Sequence, residues 1–479
     1  MGHSQKLLPQ LKVYRLCMFI SLVVGTITLL LFCTDKPESL IQLSIKYSRP
    51  TNQSKTHVPF QLPEQCGPGR IVPQGQELSL VTVNGTKTLL VSAYQEHRTA
   101  TKEVRVIAVV LRSENVDYSC LLCCQDKLHV SKGVSDVHSD HFDFVHGTAD
   151  IMCPVPSGCE SISHITVISA AANSEGTEET NMSDELHEFM EVKNQKTRDE
   201  SFSDNFTVCL SAMFNFTNVL QLVQSLEMFQ ILGVNKVGIY LTSSSPETQH
   251  VLDVYTRKGL VEVIPWSWSK YLKVSQGFMP FKDPGDLHYY GQIPALNDCI
   301  YRYMYQSRYV AMQDIDELIL PQSVSSWLEL LPILEKTYGV DKGYMFENNV
   351  FPITKSPPSP QTLPSQTPSW QNVTGVNILA HLYSEPIIAE THYCNFKIIV
   401  NPRAVFSPTV HGLLKSKNGR AWVDRNIARM YHTRSAKQTH LTPDQLIFDG
   451  RLLSYSKRLI PAVNTVLREC GLLHKHSTD

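Results

Sequence analysis

The sequence has no excess of charge of either sign and no internal repeat. Its 43 lysines and arginines nearly balance its 45 aspartates and glutamates, which gives a formal net charge of −2. Proteins that grip the phosphate backbone of nucleic acid are normally basic, so this balance argues against a nucleic-acid partner. Hydrophobic residues make up 42% of the 479 residues, which is typical of a globular chain with two or three domains.

Charge is also missing from one N-terminal run, LCMFISLVVGTITLLLFC at residues 16–33. As a helix this run would be about 27 Å long, close to the roughly 30 Å of the bilayer core. Lys6, Lys12 and Arg15 precede it, so the positive-inside rule predicts a cytosolic tail at 1–15, a transmembrane anchor at 16–34 and a luminal remainder. The alternative is a signal peptide, but no small-x-small cleavage site follows the run.

Two further features fit the lumen of the secretory pathway. Ten of the twelve cysteines lie outside the anchor and are disulfide candidates in an oxidising compartment. The run CLLCC at 120–124 has no Cys/His pair at zinc-finger spacing, which argues against zinc. The second feature is a set of six N-x-S/T sequons typical of a secreted glycoprotein. These sequons begin at Asn52, Asn84, Asn181, Asn205, Asn215 and Asn372.

Changes in composition divide the luminal part of the chain. Residues 35–65 read as a polar stalk, and residues 66–172 read as a small β-rich module. Within that module, LSLVTVNGTKTLLVSAY has an N-G-T turn between two apolar runs, which predicts a hairpin. Residues 173–205 are acidic and read as a flexible linker to a last domain at 206–479. A Pro/Ser/Thr-rich insert at 353–371 in that domain predicts a surface loop.

The last domain alternates strand-like and helix-like segments. VCLSAMFNF, KVGIYL, LVEVIPW and RYVAMQ read as strands, and apolar residues recur at helical spacing between them. Gly233 and Gly259 are expected to stop the first two helices, and Ser245 is expected to cap the second. Such alternation predicts an α/β domain with a parallel sheet, in which ligands bind at the carboxyl ends of the strands.

Asp314 and Asp316 stand at such a strand end, in RYVAMQDIDELILP. Side chains two apart in an extended segment face the same side, so both carboxylates would face one site while Ile315 turns into the core. Two adjacent carboxylates repel, and a divalent cation is a natural remedy. Such a cation could also neutralise the diphosphate of a nucleotide-sugar. The plainer alternative is a solvated turn, because D-x-D arises often by chance.

Several motifs in order resemble glycosyltransferase family 92, a group once called domain of unknown function 23. The resemblance covers residues 208–434, about half of the chain. It rests on VCLSAMFNF, MFQILGVNKVGIYL, VLDVYTRKGLVEVIPW, GQIPALNDCIYRY, RYVAMQDIDELILP, CNFKIIVNPRAVFSPTVHG and MYHTR.

The resemblance implies a function and a location. Members of this family are type II Golgi membrane enzymes with a GT-A (Rossmann-like) fold, inverting and dependent on Mn2+, and mostly transfer galactose from UDP-galactose. The chain is therefore expected to add galactose in β-linkage to a glycan acceptor. Its partners would be the nucleotide-sugar, the glycan and the membrane. A homodimer is an option that the sequence leaves open.

The resemblance also implies site residues. Asp314 and Asp316 match the metal and UDP motif, and Glu317 follows as in the family and is expected to orient them. His411 matches the C-terminal histidine that often completes the metal site, and His432 is its competitor. Neutral imidazole is a good Mn2+ ligand. Lys397 is a candidate contact for the diphosphate.

Other candidates concern the acceptor. An inverting transfer needs a general base, and the sequence does not fix it. Glu347 and Glu385 are weak candidates because they lie in the acceptor-side half of the domain. Trp266 and Trp268 could stack on sugar faces, although core packing is the commoner role of tryptophan.

Two other classes of function are compatible with the same residues. A glycoside hydrolase also needs two carboxylates, but chelation of metal should not abolish its activity. A non-catalytic glycan-binding or adhesion membrane protein would use the β-rich module as its binder and would tolerate loss of Asp316. Metal removal and substitution of Asp316 therefore separate the three hypotheses.

Overall fold

The computed structural model describes residues 77–125, 127–169, 187–197, 201–355, 370–388 and 393–473. The predicted anchor at 16–34, the stalk at 35–65 and most of the insert at 353–371 lie outside these residues. No helix within the described ranges is long and apolar enough to cross a membrane. The chain divides into two units, 1–60 with 388–394 and 61–387 with 395–479. Every element below belongs to the second unit.

The N-terminal part is an eight-stranded sheet in the order β1-β2-β3-β6-β5-β4-β7-β8. Neighbours in this order pair antiparallel, and β8 also pairs with β2, so the sheet closes on itself. Closure leaves few unpaired edges in this small module. The strands are β1 (Val81–Thr82), β2 (Leu89–Glu96), β3 (Glu103–Leu111), β4 (Tyr118–Cys124), β5 (Lys127–Val137), β6 (His146–Pro154), β7 (Ile162–Ser169) and β8 (Met190–Lys193).

The sequence predicted the first hairpin of this module correctly but missed its last strand. The N-G-T turn joins β1 to β2 as an antiparallel hairpin, and Gly85 has the positive φ of 73° that such turns favour. Strand β8, however, lies inside the segment predicted as linker. It is only four residues long, and pairing with β2 and β7 rather than its own sequence pattern makes it a strand.

Disulfide bonds fasten both parts of the unit. Cys120 pairs with Cys153 and Cys124 with Cys159 inside the β-rich module. The CLLCC run therefore serves disulfides and not zinc. In the following domain, Cys209 of a central strand pairs with Cys299 of the helix that covers it. Disulfide bonds, predicted from cysteine number and compartment, are confirmed.

The second part is a mixed α/β domain around a seven-stranded sheet, in the order β11-β10-β9-β12-β17-β14-β20. Its first four strands are parallel, as the alternation predicted. The strands are β9 (Asp204–Met213), β10 (Lys236–Leu241), β11 (Val261–Pro265), β12 (Ser307–Met312), β14 (Gly343–Phe346), β17 (Lys397–Val400) and β20 (Arg420–Trp422). The helices are α1 (Val219–Leu232), α2 (Pro246–Arg257), α3 (Gln292–Arg302), α4 (Trp327–Tyr338) and α5 (Ser456–Glu469).

Local sequence signals set the helix ends. The Ser245 side chain accepts a hydrogen bond from the backbone N–H of Thr248, and Pro246 occupies the first turn of α2. Gly233 ends α1 with a left-handed φ of 103°. These features position the strands whose ends form the site.

Smaller sheets complete the domain. The three-stranded sheet β13-β21-β15 begins at Glu317, immediately after the Asp314–Asp316 segment. Strand β21 runs antiparallel to β13 and places His432 opposite Glu317. The remaining strands are β13 (Glu317–Pro321), β15 (Asn348–Pro352), β16 (Tyr383–Ser384), β18 (Val405–Thr409), β19 (Gly412–Ser416), β21 (Ala428–Arg434) and β22 (Ile447–Phe448).

Buried polar contacts join the module to helix α3 of the α/β domain. The Tyr94 hydroxyl donates to Asp298 at 2.6 Å, and the Asn194 side-chain amide donates to the backbone carbonyl of Tyr301 at 2.7 Å. Arg98 donates to the Tyr301 hydroxyl at 2.7 Å. Because breaking such contacts would leave buried groups unpaired, the module is a fixed part of this unit.

Candidate active site

A cavity of about 740 Å3 lies at the carboxyl ends of β9 and β12. Open parallel sheets bind ligands at this edge, where helices and loops diverge. Asp314, Asp316, Lys397, His411 and His432 all line it. The structure thus brings together five residues that the sequence and the family resemblance singled out.

Asp314 and Asp316 lie in a turn, and not in the extended segment that the sequence predicted. The backbone N–H of Glu317 donates to the carbonyl of Asp314 at 3.2 Å, which closes the turn. Ile315 packs against the core as expected. The two aspartate side chains are 39% and 31% exposed, so both reach the cavity without being sealed in the protein.

Two side chains that can carry positive charge, Lys397 and His432, contact this turn. The Lys397 ammonium is 2.9 Å from Asp314 Oδ2 and 3.5 Å from Glu317 Oε2, and its side chain is only 5% exposed. His432 Nε2 lies 3.2 Å from Asp316 Oδ2. Burial alone would lower the pKa of His432, but Glu317 and Asp316 outweigh it and raise that pKa. Lys397 and His432 therefore offset part of the negative charge of the carboxylates in this cluster.

The buried side chain of Glu317 stabilises the turn by contacting Asp314 and His432. Its Oε2 accepts a hydrogen bond from the backbone N–H of Asp314 at 2.8 Å, and its Oε1 lies 3.4 Å from His432 Nδ1. Burial raises the pKa of Glu317 to about 7, although Lys397 opposes the shift. These contacts agree with the orienting role expected of Glu317.

His411 is neutral at physiological pH. Burial, followed by the charge of Lys397, lowers its pKa to about 4. Its Nδ1 lies 3.3 Å from the carbonyl oxygen of Phe396, and a carbonyl only accepts. Nδ1 therefore holds the proton in this contact, and Nε2 keeps the lone pair that metal binding requires.

The donor chemistry fits a divalent cation, although no ready-made cage is formed. Asp314 and Asp316 each use Oδ2 in the ion pairs above. Carboxylate oxygens with a neutral imidazole suit Mn2+. In the described part of the chain, however, no three His, Cys, Asp or Glu side chains lie together closely enough to hold an ion.

The two base candidates lie elsewhere. Glu347 is buried with its Oε1 3.6 Å from Arg425, and it does not line the cavity. Glu385 accepts hydrogen bonds from the backbone N–H groups of Lys437 and Gln438 at 2.7 and 3.0 Å. Glu385 thus has structural partners, whereas Glu347 Oε1 is buried without a hydrogen bond to a described residue. Neither acid lines the cavity.

The two tryptophans are buried rather than available for stacking on sugar. Trp266 and Trp268 are 2% and 1% exposed. The Trp266 indole N–H donates to the carbonyl of Gly291 at 3.0 Å. Both rings therefore pack beneath the segment that precedes α3.

That segment supplies cavity residues that sequence reasoning missed. Tyr289 and Phe278 line the cavity together with Phe214, which follows β9. Burial, followed by the charges of Asp314 and Asp316, raises the pKa of Tyr289 to about 12. A single aromatic residue in a loop has no distinguishing sequence pattern, because its role depends on where the loop folds.

With the fold and site defined, comparison with known proteins identifies the class. Residues 204–464 match the model of glycosyltransferase family 92. The match covers more than half of the chain and includes every cavity residue named above. The chain belongs to glycosyltransferase family 92, as its motifs indicated.

A relative supports the same assignment. The chain is 28% identical over 120 residues to glycosyltransferase family 92 protein F13G3.3 of Caenorhabditis elegans. This match covers 25% of the chain and 23% of the length of the relative. Membership of the family supports a glycosyltransferase, which confirms the prediction at that level.

Proposed function

We propose that the chain is a metal-dependent, inverting glycosyltransferase that transfers galactose from UDP-galactose to a glycan acceptor through a GT-A-type domain. One observation carries the proposal: two partly exposed carboxylates, Asp314 and Asp316, face one cavity at the carboxyl edge of a parallel sheet in a family 92 chain.

The cavity has the charge needed for a nucleotide diphosphate. Asp314 and Asp316, with His411, are the residues that would hold a divalent cation. That cation would stabilise the negative charge that develops on the departing diphosphate. Lys397 pairs with Asp314 and so offsets part of the negative charge of the turn, and Arg434 adds positive charge to the cavity lining.

The transfer itself is a single displacement. The acceptor hydroxyl oxygen forms a bond to the anomeric carbon while the bond from that carbon to the UDP oxygen breaks. The bonding electron pair leaves with UDP, and the hydroxyl proton passes to a base. Attack from the face opposite the leaving group converts the α-linked donor into a β-linked product. The role of the protein is to align the two reactants and to exclude water.

We place the enzyme in the Golgi as a type II membrane protein with this domain in the lumen. The uncharged run at 16–33 supports a membrane anchor. The four described sequon asparagines, Asn84, Asn205, Asn215 and Asn372, are all exposed, as glycosylation requires. The three disulfide bonds named above fit an oxidising compartment.

A donor panel crossed with a glycan array tests this proposal. The full chain, purified in detergent, is incubated with Mn2+, each UDP-sugar and each glycan, and released UDP and product are measured. We expect glycan-dependent turnover with UDP-galactose, its loss in EDTA and its return on adding Mn2+. Turnover that persists in EDTA would refute metal dependence, and preference for another sugar would refute the donor assignment.

A further inference from the structure

The β-rich module reaches the wall of the active-site cavity through the loop between β5 and β6. The Phe142 ring of this loop stacks on His288, with centroids 4.2 Å apart and planes at 17°. Phe144 meets the same imidazole edge-on at 5.8 Å. The backbone N–H of His146 donates to the carbonyl of Asp286 at 3.0 Å. The module therefore contacts the segment that precedes α3, and not only α3 itself.

His288 is held by aromatic contacts alone. The residue is 2% exposed, and neither ring nitrogen has a hydrogen bond to any described residue. A buried polar ring without partners is costly, so it persists only where other demands fix it. Here the ring lies between Phe142 of the module and Phe278 of the α/β domain, which it meets at 4.9 Å.

The contacts continue from His288 into the cavity. Phe278 stacks on Tyr289 with centroids 4.5 Å apart, and Phe214 meets Tyr289 edge-on at 5.5 Å. Phe214, Phe278 and Tyr289 line the same cavity as Asp314 and Asp316. These three residues are called the aromatic wall below.

The backbone is unusual on both sides of the contact. Tyr289 and Tyr290 have φ values of 27° and 49°, followed by Gly291 at 71°. Across the contact, Phe142 and Asp143 have φ values of 49° and 62°. Non-glycine residues adopt this region at a cost, and such residues cluster at active sites and other places where the surrounding structure holds them. The surrounding structure therefore enforces the position of Tyr289.

Exposure increases from Tyr289 to Phe278 and then to Phe281, a residue of the same loop that lies outside the wall. Tyr289 is partly buried beside the carboxylates, Phe278 is 38% exposed, and Phe281 further along the same loop is 77% exposed. The donor is a compact molecule that the cavity can enclose, but an acceptor glycan belongs to a larger chain and must extend into solvent. An aromatic surface that leads outward suits the C–H face of a sugar ring.

We propose that the aromatic wall is the subsite for the acceptor sugar and that Phe142 of the β-rich module is a positioning residue for it. The proposal rests on the glycosyltransferase function proposed above. The module then takes part in acceptor binding through His288 and Phe278, although it contributes none of the carboxylates.

Steady-state kinetics of the full chain test this proposal with Phe278→Ala and Phe142→Ala. For Phe278→Ala we expect an acceptor KM about tenfold higher, the factor that corresponds to one lost stacking contact. For Phe142→Ala we expect about a threefold to tenfold rise, with kcat within twofold of the wild type. UDP affinity by calorimetry and acceptor-free hydrolysis of UDP-galactose should remain within twofold in both variants. Phe142→Tyr, which keeps the ring, should restore the wild-type KM.

Controls separate positioning from general stability. Val134→Ala removes an exposed residue of β5 in the same module and should leave every parameter unchanged. An unchanged acceptor KM in Phe278→Ala would overturn the subsite. An unchanged acceptor KM in Phe142→Ala with a lower melting temperature would reduce Phe142 to a structural role. Weaker UDP binding in either variant would show instead that the aromatic wall binds the uracil ring of the donor.

Direct glycan binding distinguishes this proposal from the function on which it rests. Saturation-transfer NMR of the full chain with the array glycans detects binding without turnover. If the wild type binds a glycan that Phe278→Ala does not, the subsite stands even where no UDP-sugar is consumed. If the wild type transfers sugar and both variants bind and transfer equally well, the function stands and the subsite is wrong. A wild type that neither binds nor transfers contradicts both.

Discussion

Two of the clusters of opposite charges among the described residues differ in one respect. In the module, Arg105 pairs with Asp150 and with Glu96, and Arg98 also pairs with Glu96 at 2.6 Å. The side chains of these four residues are between 1% and 7% exposed. In the cavity, Lys397 and Glu317 are sealed at 5% and 2%, but their partner Asp314 is 39% exposed.

Under the proposed function, the sealed cluster is structural and the partly exposed cluster takes part in ligand binding. Ion pairs that are sealed on every side offer no open atom to a ligand, so we expect this cluster to act on the stability of the fold. A charged side chain that remains exposed to a cavity can still bind a ligand. Its buried partners in the cluster hold it in position. The two clusters are similar in composition, so we distinguish them by exposure to a cavity and not by residue type.

The largest effect should come from the open carboxylates of the cavity. Asp316→Asn removes a charge that the proposed cation needs while it keeps the size of the side chain. We expect turnover to fall by about a thousandfold, the size of effect seen when a main electrostatic contact of a transition state is lost. The melting temperature should change by no more than about 3 °C, because the side chain is only partly buried.

Matched variants make this result interpretable. Asp314→Asn should behave as Asp316→Asn does, whereas Asp253→Asn on the exposed face of α2 should leave turnover unchanged. If the Asp314→Asn and Asp316→Asn double variant retains wild-type turnover, the cavity cluster is structural and the comparison fails.

The sealed cluster should show the opposite behaviour. Arg105→Met leaves Glu96 and Asp150 buried with less positive charge beside them. We expect the free energy of unfolding to fall by about 3–5 kcal/mol in urea titration, as for other broken buried pairs. Turnover per folded molecule should stay within twofold. Lys132→Met is the control, since the pair of Lys132 with Asp117 is about 80% exposed and should contribute nothing measurable.

An equal loss of stability for Lys132→Met would show that burial does not determine how much an ion pair contributes to the free energy of unfolding. A selective loss of turnover in folded Arg105→Met would instead give the module cluster a role in the reaction. Either result would remove the distinction between the two clusters.

The order of strands and helices was predictable because it is written in local patterns. Apolar spacing, Ser245 and Gly233 placed α1 and α2, and the position of Asp314 after β12 followed from the strand that precedes it. The partners of the aspartates were not predictable. Lys397 lies 83 residues from Asp314 and His432 lies 116 residues from Asp316, and only sheet pairing brings them together.

The same reason explains the other misses. The predicted extended segment at Asp314–Asp316 is a turn, because β13 leaves the main sheet to pair with β21. Tyr289 reaches the cavity because Trp266 binds Gly291 and the module packs against His288. Tertiary contacts of this kind leave no trace in residue spacing.

The two histidines of the cavity also differ in whether their ring nitrogens are already paired with charged groups. His411 is neutral and keeps a lone pair on Nε2, whereas His432 is engaged with Asp316 and Glu317. We expect His411→Ala to weaken Mn2+-dependent UDP binding at least about tenfold, measured by calorimetry with and without the metal. UDP binding without metal should be unchanged. If His432→Ala has this effect and His411→Ala does not, the assignment of the two residues is reversed.

The smallest effect is expected at the two acids outside the cavity. Glu385→Gln keeps a side-chain oxygen that can still accept from the backbone N–H groups of Lys437 and Gln438, so its local structure should survive. Glu347→Gln changes a residue paired with Arg425 away from the cavity. We expect turnover within threefold of the wild type for both, whereas loss of a general base costs about a hundredfold or more. A drop of that size, with a flattened acidic limb in the pH dependence of kcat/KM, would identify the general base, which must be deprotonated to act.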